Sequence, residues 1–296
     1  MSESEIAERI AAALDPGYWR ALTQGQKSEH ESSPASDPQI ERSISTAIDD
    51  FRRCGVYHVR SAIGPDVIAR LNHVIDAVVG AGWPGVFAFA CDELWSFARL
   101  EPIRMLVAGV LGENARQISH VWTHIVKPGE QAGWTPHVDG PGDGRMTVWI
   151  ALTDAGLGNG CMHAVLRDAD TIEAVHQWVY AQDSLTKLNA QRLLQATKAM
   201  PTSAGDMIGW AFDILHWGGP VSVAAPGRRS LSLEYIGADI EPGPTETTLI
   251  AFDDPLLSHV NRMQSVASAI LEYWKFEPTL IRYQDVANGI LSASRR

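Results

Sequence analysis

The sequence has few cysteines, no long apolar run and no excess of positive charge, and each shortage narrows the possible functions. Only three cysteines occur among 296 residues, with no paired spacing, which argues against a disulfide-stapled scaffold and indicates a reducing, cytoplasmic environment. No stretch approaches the ~18 apolar residues that a membrane-spanning helix needs. The first residues lack the basic and apolar segments of a signal peptide. We therefore expect neither secretion nor a membrane partner.

The charge balance is acidic. The chain carries 24 Lys and Arg against 35 Asp and Glu, a formal net charge of −11. Such a chain is not expected to bind nucleic acid or an anionic membrane surface, and it is poorly matched to a large polyanion such as a coenzyme A thioester. With 45% hydrophobic and 20% charged residues, the composition is that of a globular protein with a sizeable core. A small molecule is the expected partner.

A histidine and an aspartate stand two residues apart in the segment from Trp134 to Asp139. In an extended chain, side chains at i and i+2 point to the same face, so His137 and Asp139 can bind one metal ion together. His216, which follows a later apolar run, is the candidate third ligand. Two histidines and one carboxylate form the facial triad of non-haem Fe(II) oxygenases.

Arg228 opens a predicted strand twelve residues after His216. A cationic side chain at this point suits a second carboxylate, such as the far end of 2-oxoglutarate. Ser230 lies on the same face of that strand and can add a hydrogen bond.

The strand that leads into the metal motif carries His120 and His124 on one face. A histidine on a strand is often an ordinary buried polar residue, but two of them beside the motif favour a lining of the substrate pocket. Tryptophans also lie near the motif in sequence, and of these we expect Trp134 and Trp210 to line the substrate pocket.

The ordered set of these motifs resembles the phytanoyl-CoA dioxygenase family of Fe(II)/2-oxoglutarate oxygenases, over roughly residues 45 to 237. The matching residues are Lys127-Pro128-Gly129, Trp134 to Asp139, Trp149 to Leu152, Asn159-Gly160-Cys161, Gly205-Asp206, His216 and Arg228. The resemblance implies a mainly β fold with flanking helices, a double-stranded β-helix (jelly-roll, cupin-like) barrel. It also implies Fe(II) on His137, Asp139 and His216, with 2-oxoglutarate and O2 as co-substrates.

The same resemblance implies that Arg228, Ser230 and Trp149 bind 2-oxoglutarate. Two departures from the family pattern stand out. Met162 to Arg167 replaces the usual Pro-Gly-Ser-His turn, which places the family's usual substrates in question. The interval from His216 to the arginine is about one residue longer than usual, so Arg229 is the alternative carboxylate clamp.

The chain divides into residues 1–38, an N-terminal helix with a loose linker, and residues 39–296, one oxygenase domain. Residues 168–199 form a helical insertion, either a packing element or, as we favour, a lid over the substrate. The glycine-rich loop 140–144 is either a plain turn or a gate. The C-terminal helices, residues 254–296, are expected to pack outside the barrel or to form a homodimer contact.

The expected function is hydroxylation or desaturation of an unactivated C–H bond of a small molecule, with release of succinate and CO2. An amino acid derivative or a natural-product intermediate is the expected substrate class. Halogenating relatives have Gly or Ala in place of Asp139, so the carboxylate argues against halogenation. The alternative is a non-catalytic barrel of the same fold that binds a metal or a small molecule.

Overall fold

A computed structural model describes residues 1–23, 37–129, 134–181, 184–243, 246 and 248–294 of the chain. The loose linker expected before residue 39 falls largely on residues outside this set, and so does the end of the turn that precedes Trp134.

Helices form both ends of the chain and a segment in its middle. The α-helices are α1 (Glu3–Leu14), α2 (Pro16–Leu22), α3 (Pro38–Cys54), α4 (Pro65–Gly80), α5 (Asp92–Phe97), α6 (Glu101–Leu111), α7 (Ala169–Val175), α8 (Lys187–Ala196), α9 (His259–Tyr273) and α10 (Gln284–Ala293). Short 3-10 helices cover Gly85–Ala90 and Pro278–Tyr283, and a π-helical turn, His176–Tyr180, follows α7.

Local chemistry sets the ends of these helices. The Asp37 side chain accepts a hydrogen bond from the backbone N–H of Gln39 and caps α3, with Pro38 in the first turn. Gly55 ends the same helix at a φ of 76°, and its N–H donates to the Phe51 carbonyl. Glycine suits this left-handed cap because it adopts positive φ without the steric cost of a side chain.

The strands pair into two antiparallel sheets. They are β1 (Val56–Val59), β2 (Arg116–Val126), β3 (Arg145–Ala151), β4 (Met162–Val165), β5 (Thr197–Met200), β6 (Met207–Ala211), β7 (His216–Gly218), β8 (Arg228–Ile236) and β9 (Leu249–Ala251). One sheet has the order β1-β6-β3-β8-β2-β9, and the other has the order β5-β4-β7. Sequence-distant strands are therefore neighbours, which brings residues from the whole chain to one sheet.

The strand β3 lies in the middle of the larger sheet and is buried along its whole length. Met146, Val148 and Ile150 belong to the main hydrophobic core, which also contains residues from α3, α4, α6, α9 and α10. Thr147 and Trp149 alternate with them and line a cavity. One face of this strand therefore packs in the core, and the other face forms part of the cavity wall.

Helix outweighs strand among the described residues, of which 47% are helical and 20% lie in strands. The expectation of a mainly β chain was therefore wrong in its balance, and the architecture is mixed. The reason is that the helices around the larger sheet supply much of the core; α9 and α10 pack together, and α9 also packs on β2.

The N-terminal helices pack on the rest of the chain. Trp19 in α2 is 2% exposed, its ring stacks on Phe87, and its indole N–H donates to the Ala13 carbonyl. Helix α1 contacts α10. No helix within the described residues is both long and apolar enough to cross a membrane.

Candidate metal centre

A short antiparallel bridge brings the two histidines of the predicted triad together. The backbone N–H of His137 donates to the His216 carbonyl at 3.1 Å, and the N–H of His216 donates back to the His137 carbonyl at 2.9 Å. The ring centroids are consequently 4.3 Å apart. Asp139 Oδ1 lies 3.7 Å from His137 Nε2 and 3.5 Å from His216 Nε2. The three ligand atoms all fall within 4.8 Å of one another, close enough to bind one ion.

Each histidine presents a bare ring nitrogen to this centre. His137 Nδ1 donates to the Thr135 carbonyl at 2.8 Å, and His216 Nδ1 donates to the Ile214 carbonyl at 2.9 Å. Because a carbonyl only accepts, these bonds fix the proton on Nδ1 and leave Nε2 with a free lone pair. Burial also lowers the pKa of His216 to about 4, which keeps its imidazole neutral near pH 7. A neutral imidazole is the form that binds a metal.

The Asp139 carboxylate is oriented by two donors on one oxygen. Thr147 Oγ1 donates to Oδ2 at 2.7 Å, and Trp210 Nε1 donates to the same oxygen at 2.8 Å. The other oxygen, Oδ1, is thereby directed to the histidines. Trp210, which was expected in the substrate pocket, does line the cavity. Its ring centroid also lies 4.2 Å from that of His216. Thr147 was not identified from the sequence, although it alternates on β3 with Trp149, which was.

Arg228 is a buried cation that faces the cavity. It is 2% exposed, and no carboxylate pairs with it in the part of the chain that the structure describes. Its Nη1 lies 3.3 Å from Met162 Sδ, its guanidinium carbon is 5.7 Å from the Trp149 ring centroid, and its Nε has no partner among the described residues. Burial lowers the pKa of Arg228 to about 10, so it remains charged near pH 7.

Arg229 points away from the cavity. Its guanidinium lies 2.7 Å from Asp76, and its backbone N–H donates to Thr153. Neighbouring residues of a strand face opposite sides, so only one of the two arginines reaches the cavity. Ser230 shares the strand face of Arg228; it is fully buried, and its hydroxyl has no partner among the described residues.

A cavity of about 330 Å³ contains the triad and Arg228. All four residues expected in the substrate pocket line it: His120, His124, Trp134 and Trp210. His124 Nε2 is 3.1 Å from Ser232 Oγ, and burial, followed by the charge of Arg228, lowers the pKa of His124. His120 Nδ1 lies 3.5 Å from Glu234 Oε2.

Part of the cavity wall was not expected from the sequence. Glu234 from β8 lines it, as do Glu272 and Tyr273 at the end of α9 and Phe276 in the turn that follows. The C-terminal helices were expected to pack outside the barrel, yet the end of α9 reaches the cavity. Glu234 is two residues from Ser232 and six from Arg228, so period-two alternation from the arginine was a signal that could have found it. No local pattern marks the residues of α9.

The helical segment 168–199 was favoured as a lid, but none of its described residues lines this cavity. Ala174, Val175 and Leu193 instead form a second apolar cluster with Val165 and Leu215, and Val138 and Trp217 pack against it. Val138 and Trp217 are direct neighbours of the triad residues. The segment therefore supports the metal-binding strands. Tyr180 also donates to the Gly140 carbonyl at 3.0 Å, which ties the segment to the loop 140–144.

Comparisons with known proteins agree with this geometry. The sequence model of the phytanoyl-CoA dioxygenase family (PhyH) matches residues 51–230. A comparison with curated protein sequences gave no match. The solved structure of the epimerase SnoN in complex with Fe3+, α-ketoglutarate and nogalamycin RO is similar, with 18% identity and a TM-score of 0.54 over 75% of this chain and 94% of that chain. The α-ketoglutarate-dependent carbocyclase SnoK has 17% identity and a TM-score of 0.55 over 76% of this chain and 97% of that chain. AviO1 from Streptomyces viridochromogenes Tue57 has 20% identity and a TM-score of 0.51 over 68% of this chain and 97% of that chain. At these identities the likeness concerns the fold.

Proposed function

This chain belongs to the phytanoyl-CoA dioxygenase family of Fe(II)- and 2-oxoglutarate-dependent oxygenases, and we propose that it hydroxylates or desaturates an unactivated C–H bond of a small molecule. The observation that carries the proposal is one cavity with two features. It holds a convergent triad of two imidazoles and a carboxylate, and it holds a buried arginine without an acidic partner among the described residues. An amino acid derivative or a natural-product intermediate is the proposed substrate class.

The donor set fits ferrous iron. Two imidazoles and one carboxylate on one face suit Fe(II) and leave coordination positions for a co-substrate and O2. Under this proposal His137, Asp139 and His216 are the iron ligands. The cavity lies between the two sheets, with β2, β3 and β8 on one side and residues of β4 and β7 on the other. We take the two sheets as the halves of a double-stranded β-helix within one oxygenase domain, residues 39–296.

Arg228 is the proposed clamp for the distal carboxylate of 2-oxoglutarate. A guanidinium buried without a counter-ion is unfavourable, and an incoming carboxylate supplies the missing partner through charge-assisted, bidentate hydrogen bonds. Ser230 and Trp149 have buried donor atoms without partners among the described residues. We assign both to the same co-substrate site, as the resemblance implied.

The residues of this chain then have distinct tasks. Bound iron supplies O2 activation coupled to the conversion of 2-oxoglutarate to succinate and CO2. Thr147 and Trp210 hold the Asp139 carboxylate, and the carbonyls of Thr135 and Ile214 hold the two imidazoles in the neutral tautomer that binds metal. The aromatic residues of the cavity exclude water and position the substrate.

Anaerobic addition of Fe(II) and 2-oxoglutarate tests the proposal directly. A weak visible charge-transfer band is expected from the wild-type protein, and succinate should form once O2 is admitted. Asp139→Ala should lose stoichiometric iron, the band and succinate formation, because one of the three ligands is gone. If the wild-type protein binds both reagents without forming succinate, the result would support the alternative, a non-catalytic barrel of the same fold.

Alanine variants of Arg228 and Arg229 provide a matched pair that tests the co-substrate site. Loss of a buried charged partner costs about 2–5 kcal/mol, so Arg228→Ala should weaken 2-oxoglutarate binding by at least about tenfold. Arg229→Ala removes an outward ion pair with Asp76 and should leave the affinity nearly unchanged. Titration of the charge-transfer band measures both. The reverse pattern would assign the clamp to Arg229.

A further inference from the structure

The cavity face of β8 has opposite charges at its two ends. Arg228, Ser230, Ser232 and Glu234 recur at every second position, and Arg228, Ser232 and Glu234 line the cavity. The glutamate lies six positions along the strand from the arginine, roughly 20 Å along the backbone. The proposed co-substrate occupies the arginine end, so the glutamate end is left for another molecule.

Glu234 lies beside the metal centre. It is paired across the sheet with Thr147, the residue that donates to the Asp139 carboxylate. Directly opposed residues on one face of a sheet have Cβ atoms only about 5 Å apart. A group held by Glu234 is therefore close to the iron ligands.

The negative charge of Glu234 is poorly compensated. The Fe(II) ion, Asp139, 2-oxoglutarate and Arg228 balance one another in charge under the proposed function. Glu246, also in the cavity wall, is neutralised by Arg145 at 2.8 Å and 3.2 Å. The partner of Glu234 is His120, whose Nδ1 lies 3.5 Å from Oε2, and an imidazole carries a positive charge only when it is protonated. Burial raises the pKa of Glu234 and its hydrogen bond with His120 opposes the rise, so a cation bound beside it would stabilise the ionised carboxylate. The exposed Glu272 adds further negative charge.

The adjoining wall is aromatic. The Trp134 ring centroid lies 4.8 Å from that of Tyr273, 5.1 Å from Phe276 and 5.4 Å from the ligand His137. Aromatic faces attract organic cations through their quadrupoles, and a nearby carboxylate adds direct charge attraction. The combination of an aromatic wall and a carboxylate whose partner is an imidazole favours a cation over a neutral or anionic molecule of the same shape.

This end of the cavity is built largely from residues outside the family match, which stops at residue 230. Glu234, Glu272, Tyr273 and Phe276 all follow that point. The metal and co-substrate residues fall within the matched region. The family match therefore does not cover these four residues.

We propose that Glu234, with the aromatic wall of Trp134, Tyr273 and Phe276, binds the ammonium group of a cationic substrate and orients its carbon skeleton at the metal centre. The inference rests on the proposed function and deepens it by assigning the substrate class. Glu234 acts as a specificity determinant by charge attraction to the substrate, and the aromatic residues add cation–π contacts.

Choline and its neutral isostere 3,3-dimethylbutan-1-ol, which share a shape and differ in charge, test the assignment. Their binding to the metal-free protein is measured by calorimetry, with tryptophan fluorescence as a second readout. Wild-type protein should prefer choline by at least about tenfold. Glu234→Gln should lose that preference, whereas the matched control Glu113→Gln, at an exposed position outside the cavity, should retain it.

Equal binding of the two probes by wild-type protein, or a retained preference in Glu234→Gln, would overturn the proposal. Phe276→Leu keeps an apolar side chain without the aromatic face, so it should reduce the preference for choline. This variant tests the proposal if Glu234→Gln does not fold. The charge-transfer band with Fe(II) and 2-oxoglutarate is recorded on the same proteins. A missing band in wild-type protein would count against the proposed function, independently of the choline result.

Discussion

Asp139 is held more firmly than a free carboxylate, because two hydrogen bonds fix one of its oxygens. Thr147 comes from β3 and Trp210 from β6, which are paired strands of the larger sheet. The metal centre is thus anchored to the most buried part of the fold. Partners of this kind tune a metal site as strongly as many direct ligands do, because they set the direction of the ligand atom.

Thr147→Val keeps the β-branched shape and removes the hydroxyl that donates to Asp139. We expect iron affinity to fall by about 10- to 100-fold, the usual effect of losing such a partner. Competition with a metal chelator measures the affinity. The control is Thr123→Val, since Thr123 is also buried in a strand but its hydroxyl has no partner among the described residues. Equal losses in the two variants would assign the effect to burial instead of ligand orientation.

Two helical elements pack against surfaces that the sequence did not predict for them. The segment 168–199 was favoured as the cover of the substrate, and it packs behind the metal-binding strands. The C-terminal helix α9 was expected outside, and its end lines the cavity. Amphipathic periodicity identifies a helix that packs on one face, but it does not identify the surface against which that face packs.

Adjacent leucines in α8 test whether this segment supports the fold. Leu193 is 6% exposed within the second apolar cluster, whereas Leu194 is 74% exposed. Leu193→Ala should lower the free energy of unfolding by about 2–5 kcal/mol. Leu194→Ala should change it by no more than about 0.5 kcal/mol. Denaturant titration measures both. If neither change alters stability, the segment does not support the fold, and a mobile cover becomes the better description.

At the scale of the whole molecule, the two ends of the chain pack together. Helix α1 lies against α10, and His259 Nε2 donates to the Ala13 carbonyl at 2.9 Å. Trp19 packs with Trp83 and Phe87 in the main core. Because α9 also lines the cavity, the N-terminal helices contribute to the same body that forms the site.

Trp19→Ala should lower the free energy of unfolding by about 3–5 kcal/mol, the usual effect of removing a buried tryptophan. Trp19→Phe keeps an aromatic ring beside Phe87 but loses the hydrogen bond to Ala13, so a smaller loss is expected, about 0.5–1.5 kcal/mol from the bond itself. Thermal and denaturant unfolding measure both variants. A wild-type stability in Trp19→Ala would mean that the N-terminal helices are dispensable for the fold.

The sequence by itself determined those features that depend on neighbours along the chain. His137 and Asp139 share a face because alternate residues of an extended chain do so, and Arg228 and Arg229 point apart for the same reason. The cap at Gly55 follows from glycine's freedom at positive φ. The family resemblance, carried by ordered motifs, is confirmed by the match over residues 51–230.

Tertiary structure decided which distant residues meet. The bridge between His137 and His216, the donors on Asp139 and the approach of α9 to the cavity join residues 8 to 139 positions apart. The helix-rich balance and the place of segment 168–199 likewise depend on how elements pack. The physical reason is that a side chain's direction is set locally by backbone geometry, whereas its partner is set by the burial of apolar surface over the entire chain, which no local pattern encodes.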